Sequence, residues 1–331
     1  MTDAAPEGNR PVELVVMVHG LDGFPSDFDL WVSCLAGLKP ELRTMASESF
    51  TASCCFWNGS GCIVQWARSL AGEVSAQVEA LAKEGARSVV LHFVCHSLGG
   101  LITRQALPLL KTFTLPVSFG HLITLNSPHM GVRNWWKGLG GLLARLVGKF
   151  QYLRQLTLHD DSQAGMCYLE QLANETACLK EFQSRTAVAA THFDVMVPFC
   201  TAAICSTNPF PSPSSGERFW RVDAVHGFSG STAFVTSPEA HSCAREFEES
   251  LKEDLIKAGQ EGMLSSSDHA VEFTAATLKG MQTCQWRRVA YTLSMRREDA
   301  HLFAVGKDHR CNEAEEGSRA FIQQLIRSVF T

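Results

Sequence analysis

The sequence predicts an α/β fold, with a mostly parallel central sheet, helices on both faces and a lid insertion. Three observations point there. Short apolar, β-branched runs alternate with stretches of helical periodicity. One of those runs leads through Cys95-His96-Ser97-Leu98-Gly99-Gly100 straight into a helical stretch. Two long stretches, 132–183 and 206–284, break the alternation and read as insertions into one domain spanning 1–331. Alternating strands and helices imply parallel pairing through right-handed crossovers.

The elements follow in order. Val12 to Val18 (VELVVMV) reads as a strand buried on both faces and ends at His19-Gly20. Ile63 to Lys83 has apolar residues at helical spacing and stops before Gly85. Ser88 to Cys95 (SVVLHFVC) is a second buried strand, and Leu98 to Leu110 is the helix after it. His121 to Leu125, Ala187 to His192 and Arg288 to Met295 read as further strands. Ser318 to Val329 reads as a terminal helix. The Pro/Ser-rich run NPFPSPSSGERFW falls in the second insertion, whose role the sequence does not indicate.

Composition narrows the function. The chain has 331 residues, 45% of them hydrophobic, so it can bury a large core. Its formal net charge of −5 offers no general attraction for nucleic acid or an anionic membrane. No apolar run reaches the roughly eighteen residues of a membrane-spanning helix. Met1 to Arg10 is polar and lacks the pattern of a signal peptide, so a cytoplasmic location is expected. The twelve cysteines form no CxxC pair and several lie in apolar runs, which reads as buried thiols rather than a disulfide or zinc framework.

Ser97 is the candidate nucleophile. A serine hydroxyl attacks only when a base takes its proton. A sharp strand-to-helix turn exposes its oxygen and sets the next N–H, that of Leu98, where an oxyanion forms. The sequence departs from G-x-S-x-G at its first position, where Cys95 stands. Cys95 as nucleophile is the lesser alternative, because it lies at the strand end and should point inward. A second oxyanion donor is expected from the loop after an early strand; Leu21, in His19-Gly20-Leu21-Asp22-Gly23, is the candidate. His19, Gly20, His96 and Gly99 are read as supporting residues. In this chain order the acid follows the serine and the histidine comes last. Asp194, after the strand AVAATH, is the candidate acid, and His301, after the last strand, the candidate base, with His309 as runner-up.

The runs VHGLDG, FVCHSLGGLITR and TLNSPHMGV resemble the lipase-like serine esterase branch of the α/β-hydrolase fold, most strongly from Val12 to Val132. QLTLHD at 155–160, THFDVMVPF at 191–199 and DAH at 299–301 also resemble that family. The resemblance implies Ser97, Asp194 and His301 as a catalytic triad and fat-like or phospholipid-like esters as substrates. Cys95 replaces the family's glycine.

The segment from Trp135 to Phe150 places Trp135, Trp136, Leu139 and Leu143 on one helical face, with Lys137, Arg145 and Lys149 away from it. That composition suits either a lid packed on the protein or a helix lying in a lipid interface. A peripheral contact with membranes or lipid droplets is therefore an expectation. The chemistry needs no metal and no cofactor. A thioesterase, a peptidase, a lipid acyltransferase and a lipid-binding protein without activity are the competing readings.

Overall fold

The computed structural model describes residues 10–50, 62–110, 112–133, 150–160, 165–213, 219–229, 232–234, 236, 240–266, 272–294, 300–307 and 312–330. Nine strands are described: β1 (Val12–Val18), β2 (Arg43–Ala46), β3 (Val89–His96), β4 (Val117–Leu125), β5 (Ser184–Ala190), β6 (Trp220–His226), β7 (Met263–Ser265), β8 (Glu272–Thr274) and β9 (Arg287–Leu293). Seven form one sheet in the order β2-β1-β3-β4-β5-β9-β6, and β7 with β8 makes a separate hairpin. All pairings in the large sheet are parallel except β9 with β6. This is the α/β-hydrolase fold.

The helices are α1 (Asp29–Leu38), α2 (Ile63–Lys83), α3 (Leu98–Ala106), α4 (Gln151–Leu156), α5 (Tyr168–Asn174), α6 (Ala177–Lys180), α7 (Phe199–Ala203), α8 (Ala240–Lys257), α9 (Ala275–Gln282), α10 (Ala300–Phe303) and α11 (Asn312–Val329). Strand alternation sends successive side chains to opposite faces. Leu14, Val16 and Val18 therefore join Leu70, Val74 and Leu101 of α2 and α3 in one core. Val15 and Met17 join Trp31 of α1 and Phe321 and Leu325 of α11 in the other. That two-sided burial is why β1 lacks polar alternation. No helix among the described residues is long and apolar enough to cross a membrane.

The stretch 206–284 is not wholly an insertion. Residues 220–226 form β6, which closes the sheet's edge antiparallel to β9. At this edge Arg221 is part-exposed and pairs at 2.7 Å with the buried Asp223, so WRVDAVH lacks the apolar signature of the inner strands. The rest of the stretch contributes α8, the hairpin and α9. It meets the stretch 132–183: Arg133 pairs with Glu272 at 3.1 Å, and Gly280 of α9 lies against the Ala173 backbone of α5.

Burial of neutral histidines makes this framework acid-labile. Desolvation holds His92 and His121 down at about 4 and also lowers His19, His96 and His129. Below the unfolded value of about 6.5, the unfolded chain takes up protons that the native one does not. Stability is thus complete above that value and falls as pH drops towards the folded values. Urea unfolding at about pH 7 and pH 5 is expected to show a loss on the order of 2 kcal/mol for each ring so held. An unchanged midpoint would mean that these rings are not buried neutral.

Candidate active site

Ser97 sits at the junction of β3 and α3 with φ 52° and ψ −124°. A non-glycine residue at positive φ is strained, and such strain is held only where surrounding contacts enforce it. Those contacts are on both sides. The Ser97 N–H donates to Leu125 O at 2.8 Å. A side chain at Gly99 would place Cβ 2.3 Å from Val18 O, so only glycine lets α3 start against β1. Gly20 abuts Ser97 itself, since a Cβ there would lie 2.8 Å from Ser97 Cβ and 3.2 Å from His96 Nδ1. The loop after β1 is therefore packed directly on the serine. Its turn is closed by Gly23 N–H donating to Gly20 O, with Leu21 and Asp22 as the two central residues. Leu98 is the first residue of α3, where a helix has no acceptor of its own for the N–H.

Asp194 and His301 meet although they are 107 residues apart: His301 Nδ1 lies 2.9 Å from Asp194 Oδ2, and both side chains are buried. The other carboxylate oxygen accepts from the N–H groups of Met196 at 2.9 Å and Val197 at 2.7 Å. Three donors thus fix the carboxylate's orientation, which in turn fixes the ring. His309 lies outside the described residues, as do Trp135, Trp136, Leu139 and Leu143.

His96 has a structural part. Its Nε2 donates to His301 O at 2.8 Å, and burial together with His301 keeps the ring uncharged. The residue beside the serine thus grips the backbone of the histidine. His19 is fully buried, with its ring 4.2 Å from that of Phe50.

Cys95 is fully buried and bonds Thr103 Oγ1 at 3.1 Å; desolvation pushes its thiol up to about 12. That environment suppresses the thiolate a nucleophile requires. Cys95→Ala is expected to retain fluorophosphonate labelling and to lose about 1 kcal/mol of stability. Labelling lost in a folded Cys95→Ala protein would reverse this assignment.

Sequence reasoning passed over Asn126. It follows β4 directly, is fully buried, and adopts φ 48°. Its N–H donates to Val188 O at 2.8 Å and its Oδ1 accepts from Ala190 N–H at 2.9 Å. Its Nδ2 reaches Tyr291 Oη at 2.8 Å, Ala300 O at 3.0 Å and His301 O at 3.2 Å. One amide therefore joins β4, β5, β9 and the turn bearing His301. The available signal was an asparagine at the carboxyl end of an inner strand, where a left-handed residue and a polar hub are both useful. Lys307 was also missed; its ammonium lies 2.9 Å from Asp27, tying the turn after α10 to the segment after the Gly20 loop.

Residues 8–207 match the family described as "Putative serine esterase (DUF676)". The chain belongs to this family. Among solved structures, this family member is similar to the phospholipase PlaB from Legionella pneumophila, at 18% identity over 56% of this chain and 40% of that chain, with a TM-score of 0.40. It thus spans about two-fifths of that phospholipase. It is also similar to carboxyl esterase 2 from the fungus Tuber melanosporum, at 12% identity over 56% of this chain and 60% of that one, TM-score 0.35. A third likeness is to YbtT, a type II thioesterase of the yersiniabactin pathway, at 18% identity over 60% of this chain and 80% of that one, TM-score 0.31. No curated protein matches the chain.

Proposed function

We propose that this member of the serine esterase family hydrolyses carboxylic esters of lipids through an acyl-enzyme. The observation that carries the reading is the buried Asp194–His301 bond at the sheet end that holds the strained Ser97. His301 takes the Ser97 proton as the oxygen attacks the ester carbonyl. The oxyanion is held by the Leu21 and Leu98 N–H groups. His301 then protonates the departing alcohol, and water, deprotonated by the same ring, releases the acid and restores Ser97. Asp194 stabilises the charged ring throughout. No step calls for a metal or cofactor.

The surroundings support an apolar acyl group. Val195 and Met196, beside the acid, are 56% and 39% exposed, and Phe24, next to the Gly20 loop, is 45% exposed. A row of rings, His19–Phe50–Trp66–Tyr152–Phe150, runs from that loop to the start of α4. Apolar surface held exposed beside a polar triad suits a lipid ester better than a peptide. The proposal includes the segment Trp135 to Phe150 as a lid that contacts lipid surfaces.

The test is turnover of p-nitrophenyl esters of short and long acyl chains, with a thioester and an amide of the same acyl group. Long-chain esters are expected to exceed short ones in kcat/KM by about tenfold or more, in line with about 0.8 kcal/mol per buried methylene. A thioester preferred over the ester would shift the reading to a thioesterase. No turnover of any of them by a protein that labels with fluorophosphonate would reject hydrolysis as its reaction.

A further inference from the structure

We propose that a second cavity, at the end of the sheet opposite Ser97, binds a phosphate-bearing anion. It has a volume of about 700 Å³ and opens between the starts of β5 and β9, the end of the antiparallel β6, and α8. Ligand sites commonly fall in the range of roughly 300–1,000 Å³. Arg185, Arg287, Arg288 and Lys252 line it, with Glu248 the carboxylate in its wall. The chain as a whole is acidic, so this concentration of cations is local.

Two features distinguish this cavity from an ordinary solvated surface. First, the cations are not neutralised: among the described residues none of the four forms an ion pair. Beyond Glu248, the field of Asp254 reaches Arg288. Secondly, the arginines are held in place. Arg185 donates to Leu179 O at 2.7 Å, Phe182 O at 2.9 Å and Gln285 O at 2.9 Å. Arg288 donates to Ala203 O, Trp286 O and Ile204 O at 2.8, 3.1 and 3.3 Å. Arg287 lies over the Phe228 ring, 5.0 Å from its centroid. Carbonyl dipoles and a ring face orient a guanidinium without cancelling its charge.

His226, also in the wall, has a buried Nδ1 without a hydrogen-bond partner among the described residues. Burial and the nearby Arg288 keep its ring below the ordinary range, so it stays a neutral hydrogen-bonding group. Gln183, Gln282 and Gln285 line the same space. Several fixed cations suit the two negative charges and multiple acceptor oxygens of a phosphate monoester or diphosphate. The neutral polar wall suits the sugar or polyol that such a group carries. The source of that chemistry is either a free phosphate ester or the headgroup of a phosphorylated lipid. Leu255, on the rim, is 63% exposed.

Calorimetric titration of the full chain with inorganic pyrophosphate at low salt tests the proposal. Saturable binding is expected, weakened about tenfold or more in the Arg287→Gln/Lys252→Gln double variant and strengthened about threefold in Glu248→Gln. The opposite signs keep the test independent of a folding defect in any one variant. Co-sedimentation with phosphatidylcholine vesicles, with and without phosphatidylinositol phosphate, separates the sources. Binding to pyrophosphate alone assigns a soluble ligand, and additional binding to the phosphorylated vesicles assigns a headgroup. Ser97→Ala is expected to bind pyrophosphate as the native chain does, so a failure of the hydrolase reading leaves this result intact. No saturable binding, or affinity unmoved by either substitution set, overturns it.

Discussion

Ser97→Ala is expected to abolish covalent labelling by a fluorophosphonate and to lower kcat for ester hydrolysis by about 10⁶-fold, while leaving the fold intact. The chemical half of this argument is simple. Alanine has no oxygen to attack with, and what remains is oxyanion stabilisation and substrate placement. The structural half rests on the turn. Ser97 already sits at φ 52°, and alanine at that φ carries a similar strain. The contacts that enforce the turn are made by backbone and neighbours: Leu125 O, Gly20 and Gly99. None of them uses the hydroxyl. Thermal unfolding within a few degrees of the native chain, together with lost labelling, is the expected pair of results. A variant that folds and still labels would remove Ser97 from the mechanism.

Asn126→Ala is expected to reduce stability by about 3 kcal/mol and kcat/KM by about 10²-fold, through His301 rather than through substrate binding. The amide satisfies Ala190 N–H and donates towards Ala300 O and His301 O, all in a region closed to water. Truncation leaves the Ala190 N–H unpaired and takes one donor from each of the two carbonyls, and an unpaired buried donor costs roughly 1–3 kcal/mol. It also loosens the turn that aims the His301 ring. His96 and Tyr291 still hold that turn, through His301 O and Ala300 O, so the loss should be partial. KM for a short ester should therefore change little while kcat falls. Asn126→Asp offers a separate readout. It keeps an acceptor for Ala190 N–H but turns a carboxylate towards two carbonyls, and should be at least as damaging as alanine. If either variant raised KM alone, Asn126 would belong to substrate binding and not to positioning.

The local elements were legible in the sequence because each is encoded within itself. Val12 to Val18 is buried on both faces and shows it in an unbroken apolar run. The helix from Ile63 to Lys83 follows from apolar spacing. The turn at Ser97 is written in adjacent residues, as an apolar strand run, a serine and two glycines, although the crowding that requires Gly99 comes from Val18 O of β1. Asp194 and His301 were legible as candidates in the segments that follow two strands in an expected order, since the chain direction in a parallel sheet brings such segments to the same end.

Other features depend on contacts between distant parts of the chain. The edge strand β6 was hidden because partial exposure permits polar residues, so neither its pattern nor its antiparallel docking on β9 stands out. The exchange of hydrogen bonds at Asn126 joins positions 126, 190, 291, 300 and 301, and no pattern around residue 126 announces those partners. The cations of the far cavity are spread over β5, β9 and α8, and in sequence they are ordinary arginines and a lysine. Sequence by itself determined the fold class and the candidate nucleophile, because periodicity and turn sterics act over a few residues. Only the tertiary structure decided which polar groups face one another, because burial and hydrogen-bond partnership are properties of packed surfaces.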